Sequence, residues 1–325
     1  MIIITGAAGF IGSALAWGLN RRGNTDLLLV DELGQSEKWK NLVPLQYSDY
    51  MEKDVFLAEV KQNNIPAKQV EAIIHMGACS STTESNASYL IQNNFEYTKT
   101  LAKWALNHDI RFIYASSAAT YGDGTQGYVD DESAIHKLRP LNMYGYSKQM
   151  FDLWARKRGH LSTLVGLKYF NVYGPNEYHK DDMRSMVVKA FEQIQSAGQV
   201  GLFKSYKPEY RDGEQLRDFI YIKDAINMTL FFLDKNKPGG LYNIGTGTSR
   251  SWLDMMKAIF KELKKEPVIN FIDMPEVLKE KYQYYTQADI KKLRSAGYKE
   301  TLFSLETGIA DYILHLKNNL CILGA

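Results

Sequence analysis

Residues 1–12 read MIIITGAAGFIG. A short β-branched run at 2–4 gives way to a turn in which Gly6, Gly9 and Gly12 recur every third residue. Ile11, Ala14, Leu15 and Leu19 then follow at helical spacing. Strand, glycine turn and helix, in that order, are the reading that decides the fold. Glycine permits the tight turn, the close approach of backbone to a pyrophosphate and the packing of helix on strand, while the helix N-terminus leaves N–H groups free for the anion. The stretch is apolar, but it has no basic n-region and a leader peptide has no use for regular glycines, so it reads as folded structure.

Outward from that turn, short apolar runs alternate with helix-period segments. The runs are LLLV at 27–30, VEAIIH at 70–75, RFIYA at 111–115 and TLVGLKYF at 163–170. Between them, positions such as Leu90, Phe95, Leu101, Ala105 and Leu106 mark crossover helices. A right-handed series of this kind predicts an α/β fold with a doubly wound parallel sheet. After Tyr173 the texture changes: YGPNEYHKDD is rich in turn residues, a helix is expected over about 184–196, and YKPEYRDGEQLRD is a polar loop. The chain then returns to apolar sequence at DFIYIKDAINMTLFFL and YNIGTG before the helical WLDMMKAIFKELK. Two interleaved lobes are expected. Residues 1–171 with about 218–246 would form the dinucleotide-binding domain, and about 172–217 with 247–325 a smaller α/β substrate-binding lobe.

Composition narrows the function classes. The chain has 325 residues, 45% hydrophobic and 23% charged, as soluble globular proteins do. Lys and Arg number 39 against 37 Asp and Glu, so no long-range field is expected for nucleic acid or an acidic membrane surface. No apolar run approaches the roughly 18 residues of a membrane span. Cys79 and Cys321 are the only cysteines and lie far apart, which fits a reducing compartment such as the cytoplasm and supports neither a disulfide framework nor a structural zinc. His75 and His179 lack an HxxxH spacing and acidic partners, so no metal is expected.

Asp31 closes the second strand 19 residues after Gly12, where an acid takes the ribose hydroxyls of a dinucleotide. Taken alone it points to NAD. Lys38 and Lys53 follow it, and a cation there would meet the 2′-phosphate of NADP. Both cofactors stay open on these residues.

YGYSK at 144–148 sets a tyrosine one helical turn before a lysine. Pro140 blocks helix upstream and Asn142 suits an N-cap, while Met143, Ser147, Met150, Phe151 and Trp154 recur at helical spacing. Tyr144 and Lys148 then share a face, where the ammonium favours phenolate over phenol and is expected to lower the tyrosine pKa. Ser116 and Ser117 end the strand RFIYA at the carboxyl edge of the sheet, the edge where α/β folds bind ligands.

The glycine set, Ser117, Tyr144 and Lys148, in that order and spacing, resemble the extended short-chain dehydrogenase/reductase superfamily, nearly end to end. Within it, HMGACSSTTE (75–84), YFNVYGPNEYHK (169–180), LRDFIYIKD (216–224) and YQYYTQAD (282–289) are similar to the ADP-heptose 6-epimerase family, with CSSTTE and the GPxExxHK loop as the discriminating pieces. That resemblance implies a Rossmann-type, cytoplasmic isomerase of lipopolysaccharide core biosynthesis that holds NADP tightly, acts on the nucleotide sugar ADP-heptose and forms a homo-oligomer. It carries the oxidation site to Tyr144, Lys148 and Ser117, and a second acid/base lysine to Lys180. Cofactor contacts carry over to Gly6, Gly9, Phe10, Ile11, Gly12, Asp31, Glu32, Lys38, Lys53, His75, Met76, Gly77, Ala78, Cys79, Asn93, Val172, Lys148 and Lys180. Substrate contacts fall on Ser117, Asn171, Asp182, Lys189, Phe203, Lys204, Ser205, Tyr206, Arg217 and Tyr282. Ala7, Glu32, Met76, Asp182 and Lys189 depart from residues frequent in that family, and the loop 204–216 is longer.

The implied chemistry is inversion at C6″ through a transient ketone, with Tyr144 serving one epimeric oxygen and Lys180 the other. Two other functions share parts of the pattern. An epimerase of the 4-epimerase type would use the same fold, and a dinucleotide-sensing module would use the glycine turn without needing Ser117, Tyr144 and Lys148 together. A dehydratase needs a carboxyl group beside the reacting carbons, and Ser117-Ala118-Ala119 supplies none.

Overall fold

The computed structural model describes residues 1–279 and 282–325. Its strands in chain order are β1 (Ile2–Thr5), β2 (Leu27–Asp31), β3 (Asp49–Glu52), β4 (Ala72–His75), β5 (Arg111–Ser117), β6 (Val165–Tyr169), β7 (Asn171–Tyr173), β8 (Val200–Phe203), β9 (Leu216–Tyr221), β10 (Gly240–Ile244), β11 (Ser249–Ser251) and β12 (Ile269–Ile272). Seven of them form one parallel sheet in the order β10-β6-β5-β4-β1-β2-β3. From β1 the chain first builds outward through β2 and β3, then returns to the other side of β1 with β4. The crevice where strand order reverses therefore opens between the carboxyl ends of β1 and β4, whose last residues Thr5 and His75 are paired.

The doubly wound sheet expected from the apolar runs is present, and each expected strand lies within two or three residues of its run. Alternation along β1 shows why both faces must be covered: Ile2 and Ile4 join one apolar cluster, with the helices Phe10–Asn20 and Ile222–Phe231, while Ile3 joins the other, with Phe56, Leu101, Trp104 and Phe151. Two strands of this sheet have no counterpart among the apolar runs read from the sequence. β3 is the polar DYME at the sheet edge, held by backbone pairing with β2, and β10 was read only as a return to apolar sequence.

A three-stranded sheet, β11-β9-β7, and a parallel pair, β12-β8, carry the smaller lobe. Its helices Met186–Ala197, Trp252–Leu263 and Leu305–Lys317 bury Val187, Met256, Phe260, Ile309 and Ile313 in the same cluster as the helix Phe10–Asn20. The apolar core is thus continuous between the lobes. Among the described residues no helix is long and apolar enough to cross a membrane.

The helical segment after β4 is interrupted. Ala87–Leu90 and Tyr97–Asn107 are α-helical, and Ile91–Glu96 between them winds as a π-helix. Such a wide turn rotates the side chains that follow it and commonly marks a functional element.

Candidate active site

The glycine turn is built for contact. Gly6 has φ +68°, and a Cβ there would lie 2.6 Å from the backbone nitrogen of Gly77; a Cβ on Gly12 would lie 2.0 Å from the carbonyl oxygen of Gly6. Both positions therefore exclude any side chain. Gly9 caps the helix Phe10–Asn20 without a side-chain acceptor, and the first turn, Phe10 to Gly12, lines the crevice with it. These features make a cradle that fits a dinucleotide pyrophosphate.

The cradle opens into a cleft of about 530 Å³ at the carboxyl edge of the sheet. It is lined by Gly6, Gly9, Phe10, Ile11, Gly12, Asp31, Glu32, Lys38, Lys53, Met76, Gly77, Ala78, Cys79, Asn93, Tyr144, Lys148 and Lys180, all singled out in the sequence. At its far end Asp31 accepts from the Ala8 amide at 2.8 Å and from Lys38 at 2.7 Å, and Lys53 pairs with Glu32 at 2.5 Å. Two carboxylates and two ammonium groups thus meet at the mouth of β2.

His75 and Val172 lie elsewhere. Val172 packs among apolar side chains of the core. His75 is buried in β4, its ring between the hydroxyls of Thr5 (Nδ1, 2.5 Å) and Thr98 (Nε2, 2.8 Å). Thr98 donates its own proton to the Asn94 carbonyl at 2.6 Å, and Thr5 accepts from the Gly77 amide at 3.2 Å. One orientation satisfies all four bonds: His75 donates from Nε2 and accepts at Nδ1. Burial, aided by the Lys148 charge, holds its pKa down to about 3, so the ring is neutral and serves to fix Gly77 against Gly6.

Asn142 caps the helix Met143–Lys157 as expected, accepting from the Gly145 amide at 2.8 Å. That helix brings Tyr144 and Lys148 into the cleft. Crowding there pushes the Tyr144 phenol up from its ordinary value, with the Ser117 hydroxyl pulling the other way and the Cys79 thiol adding to the rise. The sequence reading expected Lys148 to lower this phenol; among the protein's own groups burial dominates instead. Lys148 is itself lowered to about 8 by burial, against the pull of Asp152 and Cys79. Ser116 lines the cleft; Ser117 does not, but its hydroxyl hydrogen-bonds with Tyr144 and accepts from the Ala119 amide at 3.1 Å.

Lys180 arrives from the opposite lobe, on the loop after β7. Asn176 and Glu177 anchor that loop: Asn176, buried at φ +80°, donates to Ser13 at 2.8 Å, and Glu177 accepts from the Ser185 amide and hydroxyl at 2.5 and 2.6 Å. Lys180 stands 5.5 Å over the ring of Phe10 and burial lowers its pKa, with Glu177 opposing. His179 beside it is held down to about 4 by burial and by the nearby lysines.

Of the residues singled out for substrate, Asn171, Asp182, Lys189, Phe203, Lys204, Ser205, Tyr206, Arg217 and Tyr282 do not line this cleft. They belong to the smaller lobe and the loop leading into it. Lys189 donates to the Asp182 carbonyl at 2.6 Å, and Lys204 and Tyr206 share Asp273 at 3.1 and 3.0 Å. Arg217 is only 6% exposed, with its guanidinium 5.0 Å from the Tyr282 ring and 5.9 Å from that of Trp252. Trp252 in turn donates to the Tyr282 hydroxyl at 3.0 Å. Among the described residues no carboxylate pairs with Arg217, and burial pushes its pKa down. A buried guanidinium that donates to the Leu216 carbonyl at 2.9 Å, meets no carboxylate among the described residues and is framed by aromatic rings suits an anionic ligand. Sequence reasoning missed Trp252, read only as a helix start, and Asn94, which clamps both backbone groups of Cys79 at 2.9 Å and the Ser147 hydroxyl at 3.0 Å from within the π-helical turn.

Comparison with known proteins agrees with this geometry. Residues 2–245 match the NAD dependent epimerase/dehydratase family. The chain is 50% identical over 313 residues to an ADP-L-glycero-D-manno-heptose-6-epimerase of Nitratidesulfovibrio vulgaris (strain DP4), across 96% of this chain and 97% of that protein. It is 48% identical over 324 residues to the protein of the same name from Fusobacterium nucleatum, again across 96% and 97%. The crystal structure of the Helicobacter pylori ADP-L-glycero-D-manno-heptose-6-epimerase shares its shape with a TM-score of 0.80 at 28% identity, over 97% of this chain and 96% of that one. The chain belongs to the NAD dependent epimerase/dehydratase family, on the branch that includes the ADP-L-glycero-D-manno-heptose-6-epimerases.

Proposed function

We propose that the protein inverts C6″ of ADP-D-glycero-D-manno-heptose, giving the L-glycero epimer through a transient ketone, with NADP as resident cofactor. The observation that carries the reading is that one cleft collects a helical Tyr–Lys pair and a second lysine from the other lobe, Tyr144, Lys148 and Lys180, beside a glycine cradle. Epimerising an unactivated secondary alcohol carbon needs the centre flattened and rebuilt, and bound NADP supplies the acceptor and donor for that exchange.

The chain's own groups divide the remaining work. Tyr144 takes and returns the proton of one epimeric hydroxyl, Ser117 hydrogen-bonds the same oxygen, and Lys148 favours the phenolate. Lys180 serves the oxygen of the other epimer. The cradle at Gly6, Gly9 and Gly12 receives the pyrophosphate of the cofactor. Lys38 and Lys53 turn from Asp31 and Glu32 to a 2′-phosphate, which is why NADP is assigned over NAD. Arg217 and Tyr282 hold the ADP diphosphate, with Asn171, Asp182, Lys189 and residues 203–206 completing the sugar-nucleotide site. The protein works in the cytoplasm as a homo-oligomer.

The test is direct. Purified protein is incubated separately with ADP-D-glycero-D-manno-heptose, UDP-glucose and UDP-glucuronate, and the configuration of the sugar is followed by NMR. Inversion of the heptose alone is expected, together with NADP in the acid extract. Isomerisation of a UDP-sugar without reaction of the heptose overturns the reading.

A further inference from the structure

Beneath the catalytic residues lies an ion pair that the mechanism above leaves idle. Asp152, on the helix that carries Tyr144 and Lys148, pairs with Lys168 of β6 at 2.6 Å, and both side chains are 0% exposed. The Asp152 carboxylate also accepts from Tyr114 at 2.9 Å and from Ser116 at 2.7 Å. Lys168 also donates to Thr120 at 2.8 Å, and Thr120 donates to the Ser117 carbonyl at 2.7 Å. The backbone has been cleared for this network. Gly166 lies opposite Tyr114 in the sheet, and a Cβ there would come within 2.4 Å of the Tyr114 hydroxyl.

Replacing a buried ion pair by apolar side chains of similar volume is often neutral or stabilising. Stability alone therefore gives little account of the pair. Its connections give a better one, because one partner sits on the Tyr144 helix and the other holds the turn that begins at Ser117. Resting on the epimerase reading, we propose that Asp152 and Lys168 are positioning residues that lock the Ser117 turn to the Tyr144–Lys148 helix and set the charge beneath Lys148.

The charge half of the inference has a sign. The titratable groups around Lys148 are Asp152 one turn along its own helix, Tyr144 one turn before and lining the same cleft, Cys79 from the loop after β4, and the neutral His75 of β4, with Lys168 paired to Asp152. Removing the Asp152 charge takes away an anion and should move the Lys148 titration to lower pH. Removing the Lys168 charge leaves that anion unmatched and should move it to higher pH. A pair too distant to act on Lys148 predicts no such shifts, and turnover in the double variant separates positioning from packing alone.

The experiment compares Asp152→Asn, Lys168→Met and the double variant, using the Lys148 ε-carbon resonance for titration, thermal melting for stability, and steady-state epimerisation. Opposite shifts are expected in the single variants. The double variant leaves neither charge of the pair without its partner and removes one charge of each sign near Lys148, so it should melt close to wild type and stays measurable where a single variant does not fold. It should nevertheless lose about ten- to hundredfold in kcat with KM within about threefold, the signature of misplaced reacting groups. A double variant with wild-type kcat, or single variants whose Lys148 titrations move together or stay put, overturns the proposal. Should the wild type fail to epimerise the heptose, the functional reading falls, while the titrations still judge this one.

Discussion

At Tyr144 burial opposes the acid–base role proposed for it. Desolvation keeps its phenol protonated, and only the Ser117 hydroxyl among its neighbours works the other way. In the proposed mechanism such a phenol would serve as a base only with the Lys148 ammonium and a positively charged nicotinamide near it. Tyr144→Phe is therefore expected to lower kcat by about 10²- to 10⁴-fold with the dinucleotide retained, and Lys180→Met to do the same from the other face, as read by turnover and by cofactor content after gel filtration. Normal turnover in either variant would remove that residue from acid–base work. His75 makes a second prediction, for stability. Its folded pKa of about 3 lies below the unfolded value of 6.5, so an acidified unfolded chain takes up a proton that the native chain refuses. The contribution is complete above pH 6.5 and fades by about 1.4 kcal/mol per pH unit as pH falls toward 3. Asp224, raised to about 6 by burial, works with the opposite sign over part of that range. The informative quantity is thus the difference between wild type and His75→Gln. Urea midpoints measured from pH 7 to 5 should fall less steeply in the variant, and equal slopes would show that His75 does not stay neutral.

The helix Met143–Lys157 is held to the turn after β5 by the absence of a side chain. A Cβ on Gly145 would sit 2.8 Å from the Ala119 carbonyl oxygen, a backbone atom with no rotamer to yield. Alanine gains about 1 kcal/mol of helix propensity over glycine, but overpacking of this kind costs about 1–3 kcal/mol. The terms nearly cancel in stability, whereas the helix must back away from Ser117. Gly145→Ala should melt within a few degrees of wild type and lose about tenfold or more in kcat; unchanged turnover would show that the two elements need not touch. This element was legible in the sequence because its signals are local: Asn142 as cap, a helical apolar period, and Tyr144 and Lys148 one turn apart. The central strands were legible for a similar reason, since burial on both faces demands continuous apolar runs. What the sequence concealed depends on pairing at a distance. DYME at the sheet edge is exposed and polar, so nothing in it but its hydrogen bonds to β2 makes it a strand. The π-helical turn leaves no mark in composition. Asp152 and Lys168 are 16 residues apart and carry no local signal of the pairing that the fold imposes when it buries them together. His75 carries no periodic signal of its own, because a histidine after an apolar run looks the same whether its ring faces the cleft or, as here, is buried between Thr5 and Thr98.

Across the whole molecule the two lobes carry different debts of charge. In the dinucleotide lobe the lysines at the cleft mouth are matched by Asp31 and Glu32, so that end is electrically balanced before any ligand arrives. In the smaller lobe Arg217 is buried between Tyr282 and Trp252 with no anion of its own among the described residues. Burying an unpaired cation costs several kcal/mol, and a diphosphate arriving from solvent would recover part of that cost as binding energy. The lobes should therefore respond oppositely to one substitution. Arg217→Met keeps much of the side-chain volume and removes the uncompensated charge, so the protein without substrate should melt about 2–4 °C higher. The same change should raise KM for the nucleotide sugar by about 30-fold or more and abolish the stabilisation that substrate confers in a thermal melt. Bound dinucleotide should not change, because Arg217 takes no part in lining that cleft. A variant that melts lower than wild type and still gains stability from substrate would mean that Arg217 is paired in solution and that the diphosphate is held elsewhere in the lobe.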